Sequence, residues 1–426
     1  MIRLTYTLLL TLLSPLFLYS LYKKKEGKPA FGSRWKEHFG ITPPLKSDQP
    51  PIWIHAVSVG EAIAATIVIK ALKKRYPEQT IVVTTTTSTG AEQIAKLDSL
   101  VEHRYMPIDF CFAVRGFIKA TKPTKMLIME TELWPNTLHT VAQFKIPIYV
   151  INARLSEKSY RGYKKVQPFF NLLGKHLTQI CCQYKDDAER FITLGISPEK
   201  VCVTGSVKFD IKITEEVIES GKQLREQIGT NRPVWIAAST HKGEDEKILM
   251  AHKALLQSIP NALLILVPRH PDRFNDVFEL CQAENLTVIR RTSKRPVDEG
   301  IQVYIGDTMG EMLTLIGASD ACFMGGSLLG NKVGGHNILE PIALNIPTII
   351  GPSYFNFAEI VNTLVTNKGC LVVQEKDLTS SILTLLTDIE SATELSSNAL
   401  RFFKGQQGAI DRSMGVLFSI NKVNKC

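Results

Sequence analysis

The sequence predicts an α/β protein of two Rossmann-like domains, each a doubly wound parallel sheet covered by helices. Three observations carry this. At 426 residues the chain exceeds one ordinary core. Short apolar runs alternate with helical stretches almost from end to end, as βα units do. Glycine-containing turns close several of those runs, at the strand ends where open α/β sheets bind ligands.

The N-terminus differs from the rest. Leu4 to Tyr22 carries no charge and is rich in leucine. Its 19 residues would make a helix of roughly 28 Å, enough to span a hydrocarbon core. Pro15 is a candidate kink. Lys23, Lys24 and Lys25 follow, and the positive-inside rule then puts the downstream chain in the cytoplasm. A cleaved signal peptide fits less well, because the charge lies mainly on the wrong side and no small-x-small site follows. Tyr6, Ser14 and Tyr19 interrupt the run, so a helix lying in the interface is the alternative. The expected divisions are an anchor with its basic flank over 1–25, a first domain over 26–210 entered through a Pro/Gly-containing linker to residue 50, a second domain over 211–394, and a helical segment over 395–426 that crosses back to the first.

In the first domain Ile52–Val57 reads as a strand, Glu61–Lys74 as a helix, and Thr80–Thr85, Lys125–Met129, Pro147–Asn152 and Gln179–Gln183 as further strands. The pattern loosens near Lys208–Ile213 and restarts with a helix at Glu215–Gln227. Strands follow at Val234–Ala238, Leu263–Val267, Gln302–Ile305, Ala321–Met324 and Pro347–Ile350. Two such domains facing across a cleft would put ligands at the carboxyl ends of their strands.

The net charge of +9 suits an anionic partner, a phosphorylated substrate or an acidic membrane surface. No basic stripe with interleaved aromatics appears, so nucleic acid is not expected. The eight cysteines show no C-x-x-C pattern and fit a reducing cytosol.

Candidate chemistry sits at the strand ends. Ser58-Val59-Gly60-Glu61 turns from strand to helix, and Glu61 is either a plain first-turn acid or a base at the cleft edge. Glu130 and Glu132 flank a second strand end just before Trp134 and Pro135, close enough in sequence to tune such a base. In the second half Ser239, Thr240 and Lys242 can bind phosphate at a helix start, and Arg269 with His270 follows the next strand. Gly306 to Glu311, including Met309 and Gly310, could clasp a base or ribose. Gly325, Gly326, Gly334 and Gly335 would let backbone N–H groups approach a ligand, beside His336 and Asn337. Glu340 suits a neutral hydroxyl such as ribose. Four such sites at four strand ends point to a nucleotide.

Together the segments SVGEA (58–62), METELWPN (129–136), NARLS (152–156), STHKGEDE (239–246), VPRHPDRF (267–274), GDTMGE (306–311), GGHNILEP (334–341) and GAIDR (408–412) resemble the Kdo transferases, which move 3-deoxy-D-manno-octulosonic acid onto lipid A precursors. The resemblance runs from the anchor almost to the C-terminus. It implies a GT-B fold, a CMP-Kdo donor, a phosphorylated lipid A precursor as acceptor, inverting transfer, and neither metal nor cofactor. It implies Glu61 as general base, with Glu130 or Glu132 as supporting carboxylate. Lys208, Arg269, Met309, Gly310, Glu311, Asn337 and Glu340 fall where the family holds the donor. The loop Gly325–Asn337 departs from the family, being longer, carrying Lys332, and ending before Ile338 where proline is common. The runner-up is another nucleotide-sugar enzyme of this architecture, such as a UDP-sugar 2-epimerase or UDP-sugar transferase. A third class, a membrane-bound nucleotide binder without catalysis, is disfavoured by the two acid clusters.

Overall fold

The computed structural model describes residues 2–23 and 31–419 of the chain. It divides into two compact units, Met1–Asp210 with Gln407–Cys426, and Ile211–Gln406. The first unit holds a seven-stranded parallel sheet: β1 (Ile52–His55), β2 (Ile81–Thr85), β3 (Glu102–Tyr105), β4 (Lys125–Met129), β5 (Ile148–Ala153), β6 (Gln179–Cys182) and β7 (Val201–Val203). Their spatial order is β3-β2-β1-β4-β5-β6-β7. The central strands are wholly buried because helices cover both faces, which is why they read as continuous apolar runs. On one face Trp53 packs on Phe117 with ring centroids 4.6 Å apart, and its indole N–H donates to Thr84 Oγ1 at 2.8 Å. The other face buries Ile52, Ile54, Val68 and Leu72 against Met414 and Leu417 of the helix Ala409–Ser419.

The second unit repeats the plan with β8 (Val234–Thr240), β9 (Leu263–Pro268), β10 (Val288–Arg290), β11 (Val303–Ile305), β12 (Ala321–Met324), β13 (Thr348–Ile350) and β14 (Leu371–Val372). Their order is β10-β11-β9-β8-β12-β13-β14. Its buried Trp235 donates to His252 Nδ1 at 3.1 Å, and His252 Nε2 bonds Gln302 O at 2.9 Å. The stack thus satisfies every polar atom it buries.

The four strands that the sequence pattern did not indicate, β3, β7, β10 and β14, are the four edges of the two sheets. Edge strands are short and half exposed, so they carry no apolar run; β3 reads Glu-His-Arg-Tyr. The expected linker is partly structural. Residues Gly32–Phe39 form a 3-10 helix whose Glu37 is buried and accepts the Tyr105 N–H at 2.7 Å. The return to the first unit starts later than the expected Leu395. Helix Ile389–Gln406 stays with the second unit, and the chain crosses at Gln407.

Among the described residues one helix, Ile2–Tyr22, is long and apolar enough to cross a membrane. It runs through Pro15 without interruption. Both of its ends are bonded to the first unit. Arg3 Nη1 donates to Asn136 Oδ1 at 3.2 Å, Tyr6 OH to Asp109 Oδ2 at 2.9 Å, and Thr7 Oγ1 accepts from Asn136 Nδ2 at 2.9 Å. At the other end Tyr22 OH lies 2.8 Å from His38 Nδ1. The helix therefore lies along the domain instead of projecting from it. Asp109 is the hub: it also accepts from Asn136 N, Thr137 N and Thr137 Oγ1, capping the helix Pro135–Gln143. Of the basic flank, Lys24 and Lys25 lie outside the described residues. Arg34 pairs with Glu37 at 2.8 Å and lies 4.7 Å from the centre of the Tyr105 ring.

The crossing is pinned by one carboxylate. Asp210 accepts from Gly408 N and Ile410 N, both at 2.6 Å, where the last helix begins with two otherwise unpaired N–H groups. Asp210→Ala leaves both without that partner. It should weaken the first unit by about 1–3 kcal/mol. Denaturant unfolding followed at a first-unit tryptophan reads this, and an unchanged midpoint would show that the helix docks on its apolar face alone.

Candidate active site

The first strand end builds the acid cluster. Ser58 is the N-cap of the helix Val59–Arg75, and its hydroxyl accepts the Glu61 N–H at 3.2 Å. The Glu61 carboxylate returns the favour, accepting from Val57 N at 2.7 Å and from Ser58 Oγ at 2.9 Å. Ser58 thus caps the helix, and Glu61 reaches back past it to the preceding N–H, a structural role that a first-turn glutamate can have. A carboxylate so bonded at a helix N-terminus ordinarily titrates low. Glu61 is instead pushed up to about 7, foremost by burial, with the Glu132 and Glu130 charges adding to it against the two hydrogen bonds. A buried carboxyl poised near neutrality beside two more acids is what a general base requires.

Glu130 and Glu132 follow the end of β4. Glu130 has a left-handed backbone, φ +58°, which bends the chain sharply at the end of the strand. Burial raises its pKa, and Lys208 and Arg154 oppose that rise. Glu132 accepts the Trp134 indole N–H at 3.3 Å. A cavity of about 380 Å³ is lined by Glu130, Thr131, Glu132, Arg154, Ser156 and Ser159. Lys208, expected with the donor residues, thus lies in the first unit beside Glu130. Arg154 was not singled out from sequence, although it stands inside the NARLS segment. Arginines after a strand are too common to stand out without their neighbours.

In the second unit the loops after β8, β9 and β12 bring together a second group. His241 Nε2 and His336 Nε2 are 2.7 Å apart with nearly parallel rings, so one donates and the other accepts. Burial, with Arg269 next, drives His336 down to about 3, and His241 is lowered by burial and by nearby His270, Arg273 and Arg269. Both are neutral at physiological pH. His270 packs edge-on to His241 at 5.4 Å. Asn337 Nδ2 donates to Glu340 Oε1 at 3.1 Å, and Glu340 is raised by burial and lowered by Asn337 and Arg269. Arg269, His270, His336, Asn337 and Glu340 therefore share one electropositive neighbourhood. At the end of β11, Glu311 is held by Arg291 through two bonds of 2.9 and 2.7 Å, Met309 is 72% exposed, and Gly310 has φ +85°.

Other expectations are corrected. Thr240 is fully buried and donates to Asp245 Oδ1 at 2.6 Å, so its hydroxyl faces the interior. Ser239 is buried at φ +61°, where β8 bulges. The glycines serve packing before ligand approach. A Cβ on Gly325 would stand 2.7 Å from Ser239 O, and one on Gly334 2.4 Å from the Phe355 ring. The Gly335 N–H is already given to Gly326 O at 2.9 Å. The residue that organises this loop is Glu244, which escaped notice within STHKGEDE. Its carboxylate accepts from Gly326 N, Ser327 N and Leu328 N at 2.7–3.0 Å.

Two parallel-sheet domains with ligand-type loops at their strand ends define the GT-B class. A UDP-N-acetylglucosamine 2-epimerase from Neisseria meningitidis shares that fold at 14% identity, with a TM-score of 0.56 over 87% of this chain and 100% of its own. Residues 33–211 match the family profile described as 3-deoxy-D-manno-octulosonic-acid transferase (kdotransferase). The 3-deoxy-D-manno-octulosonic acid transferase of Haemophilus influenzae is 39% identical over 97% of this chain and 98% of its own. That of Rickettsia bellii is 30% identical over 98% and 99%. The chain belongs to the 3-deoxy-D-manno-octulosonic acid (Kdo) transferase family, and is a glycosyltransferase.

Glu61→Gln keeps an acceptor oxygen for the Val57 N–H, so the helix start and the thermal midpoint should survive while turnover falls about 10²–10⁴-fold. The wild type should also show kcat/KM rising with pH through about 7, because only the deprotonated form takes a proton. A flat profile from pH 5.5 to 8, or a well-folded Glu61→Gln enzyme with normal turnover, would remove Glu61 from the role.

Proposed function

We propose that this chain transfers Kdo from CMP-Kdo to a phosphorylated lipid A precursor, lipid IVA, with inversion, at the cytoplasmic face of the inner membrane. The observation that carries the reading is the Glu61 carboxyl, doubly hydrogen-bonded yet poised near pH 7 beside Glu130 and Glu132. The acceptor is a sugar hydroxyl, a poor nucleophile until a base takes its proton, and Glu61 is that base. The hydroxyl attacks one face of the keto-sugar carbon as the CMP phosphate leaves from the other, through an oxocarbenium-like state. Glu130 and Glu132 support the base by raising its proton affinity, with Lys208 and Arg154 balancing Glu130.

The donor carries one phosphodiester and one sugar carboxylate. Arg269 supplies a cation for the former, with His270 and the neutral His336 as hydrogen-bonding neighbours. Asn337 and Glu340 suit ribose hydroxyls, and Met309, Gly310 and Glu311 the rest of the nucleotide. Ser239 shapes the strand end that carries them. The net charge of +9 and the apolar helix fit an anionic membrane surface. The bonds at both ends of the helix favour a helix lying in the interface over one that crosses the bilayer.

Arg269→Ala should weaken CMP binding by about 1.5–3 kcal/mol, the value of a charge-assisted bond. Calorimetry with CMP, CMP-Kdo and UDP-sugars on the full chain tests both the residue and the donor. Tighter binding of a UDP-sugar than of CMP-Kdo would refute the donor.

A further inference from the structure

The first unit contains a larger cavity, about 820 Å³, that the acid cluster does not itself account for. The N-terminal helix forms one wall through Phe17, Leu18 and Leu21, and the segment after β3 forms another through Met106, Pro107 and Ile108. Its remaining lining includes Val57, Thr86, Thr87 and Trp134. Two of these touch the acids. The Val57 N–H holds Glu61 Oε2 at 2.7 Å, and the Trp134 indole N–H holds Glu132 Oε2 at 3.3 Å. The cavity thus runs from an apolar helix wall to within one residue of both carboxylates.

We propose that this cavity holds one acyl chain of the acceptor, and that the N-terminal helix is a wall of the acceptor site as well as a membrane attachment. The proposal rests on the lipid-acceptor reading above. The apolar lining suits a hydrocarbon chain, whose burial there removes apolar surface from water. The volume lies within the range of about 300–1,000 Å³ usual for ligand sites. Near Val57 the lining turns polar: Thr86 Oγ1 donates to Val57 O at 3.2 Å, and Thr87 and Ser88 add hydroxyls. That end suits the ester or amide joining chain to sugar, and so sets the sugar beside Glu61. The wall is fixed in place by Arg3, Tyr6 and Thr7 on Asp109 and Asn136, bonds that a helix needed only for attachment does not require. The outward side of the same helix exposes Leu4, Leu8, Leu12 and Leu16, so a chain can leave the bilayer along one helix without crossing water.

The test compares lipid IVA with its fully deacylated phosphorylated disaccharide, both with CMP-Kdo, for wild type, Leu18→Trp and Ile108→Trp. Filling the cavity should lower the ratio of kcat/KM for the acylated over the deacylated acceptor at least tenfold. An unchanged ratio overturns the proposal, whereas wild-type transfer to neither acceptor overturns the lipid-acceptor reading itself. Wild-type protein supplies a check independent of the variants' folding. Lipid IVA carrying a diazirine in one acyl chain should crosslink to residues 17–23 and 106–108. Equal labelling of those residues by a diazirine phosphatidylethanolamine in vesicles would mean bulk lipid, and would overturn the assignment.

Discussion

The Glu61 carboxylate is the constraint on which the first domain's chemistry depends, because it is pulled in two directions. As a helix cap it accepts from Val57 and Ser58, which favours the charged form. As a buried group beside Glu130 and Glu132 it is driven toward the neutral form, and burial wins. The sign follows for stability. Its folded pKa lies above the unfolded value, so this group favours the fold below about 4.5 and loses that contribution as pH rises to about 7. The domain therefore carries a destabilised carboxylate at working pH. The capping bonds are what keep that carboxylate in one place while it is poised to ionise, which a base on a mobile loop would lack.

Strand ends elsewhere show the same local expense. Glu130 at φ +58°, Asn152 at +56° and Ser239 at +61° are non-glycine residues in a left-handed conformation, each at or beside the carboxyl end of a central strand. Such backbones cost of order 1–3 kcal/mol each and persist only where neighbours over-determine them. The neighbours are visible. Glu130 N–H pairs with Ile151 O, and Asn152 Oδ1 accepts the Val207 N–H. Gly325 lies against the Ser239 carbonyl, where only a residue without Cβ fits.

What was legible in the sequence follows from what each residue type advertises. Buried strands advertise themselves as apolar runs, so β4 and β12 coincide with their expected bounds. Edge strands do not, and all four escaped. The acids at strand ends were legible because charge at the end of an apolar run is unusual. The glycines were harder to read, since a glycine required for backbone packing and one required for ligand approach look the same in sequence. Glu244 is the clearest loss. A carboxylate that satisfies three consecutive N–H groups of a distant loop leaves no sequence trace, because its partners are backbone atoms more than eighty residues away.

The N-terminal helix shows how the same signal can be read and its cause still missed. Tyr6 stands out as a polar interruption of an apolar run, and from sequence that weakens a membrane crossing. In the structure Tyr6 is half of a bond to Asp109, and Arg3 and Thr7 meet Asn136 beside it. Ser14 returns its hydroxyl to Thr11 O inside the helix, and Tyr19 remains 67% exposed. Of the three interruptions Tyr6 is therefore the docking group, and Tyr22 plays that part at the other end of the helix. Asn136 itself belongs to METELWPN, the segment that supplies Glu130 and Glu132. One short stretch of chain thus sets two acids at the end of β4 and grips the helix that lines the cavity behind them. A substitution there that loosened the helix would reach the acids through the backbone, with no catalytic group removed.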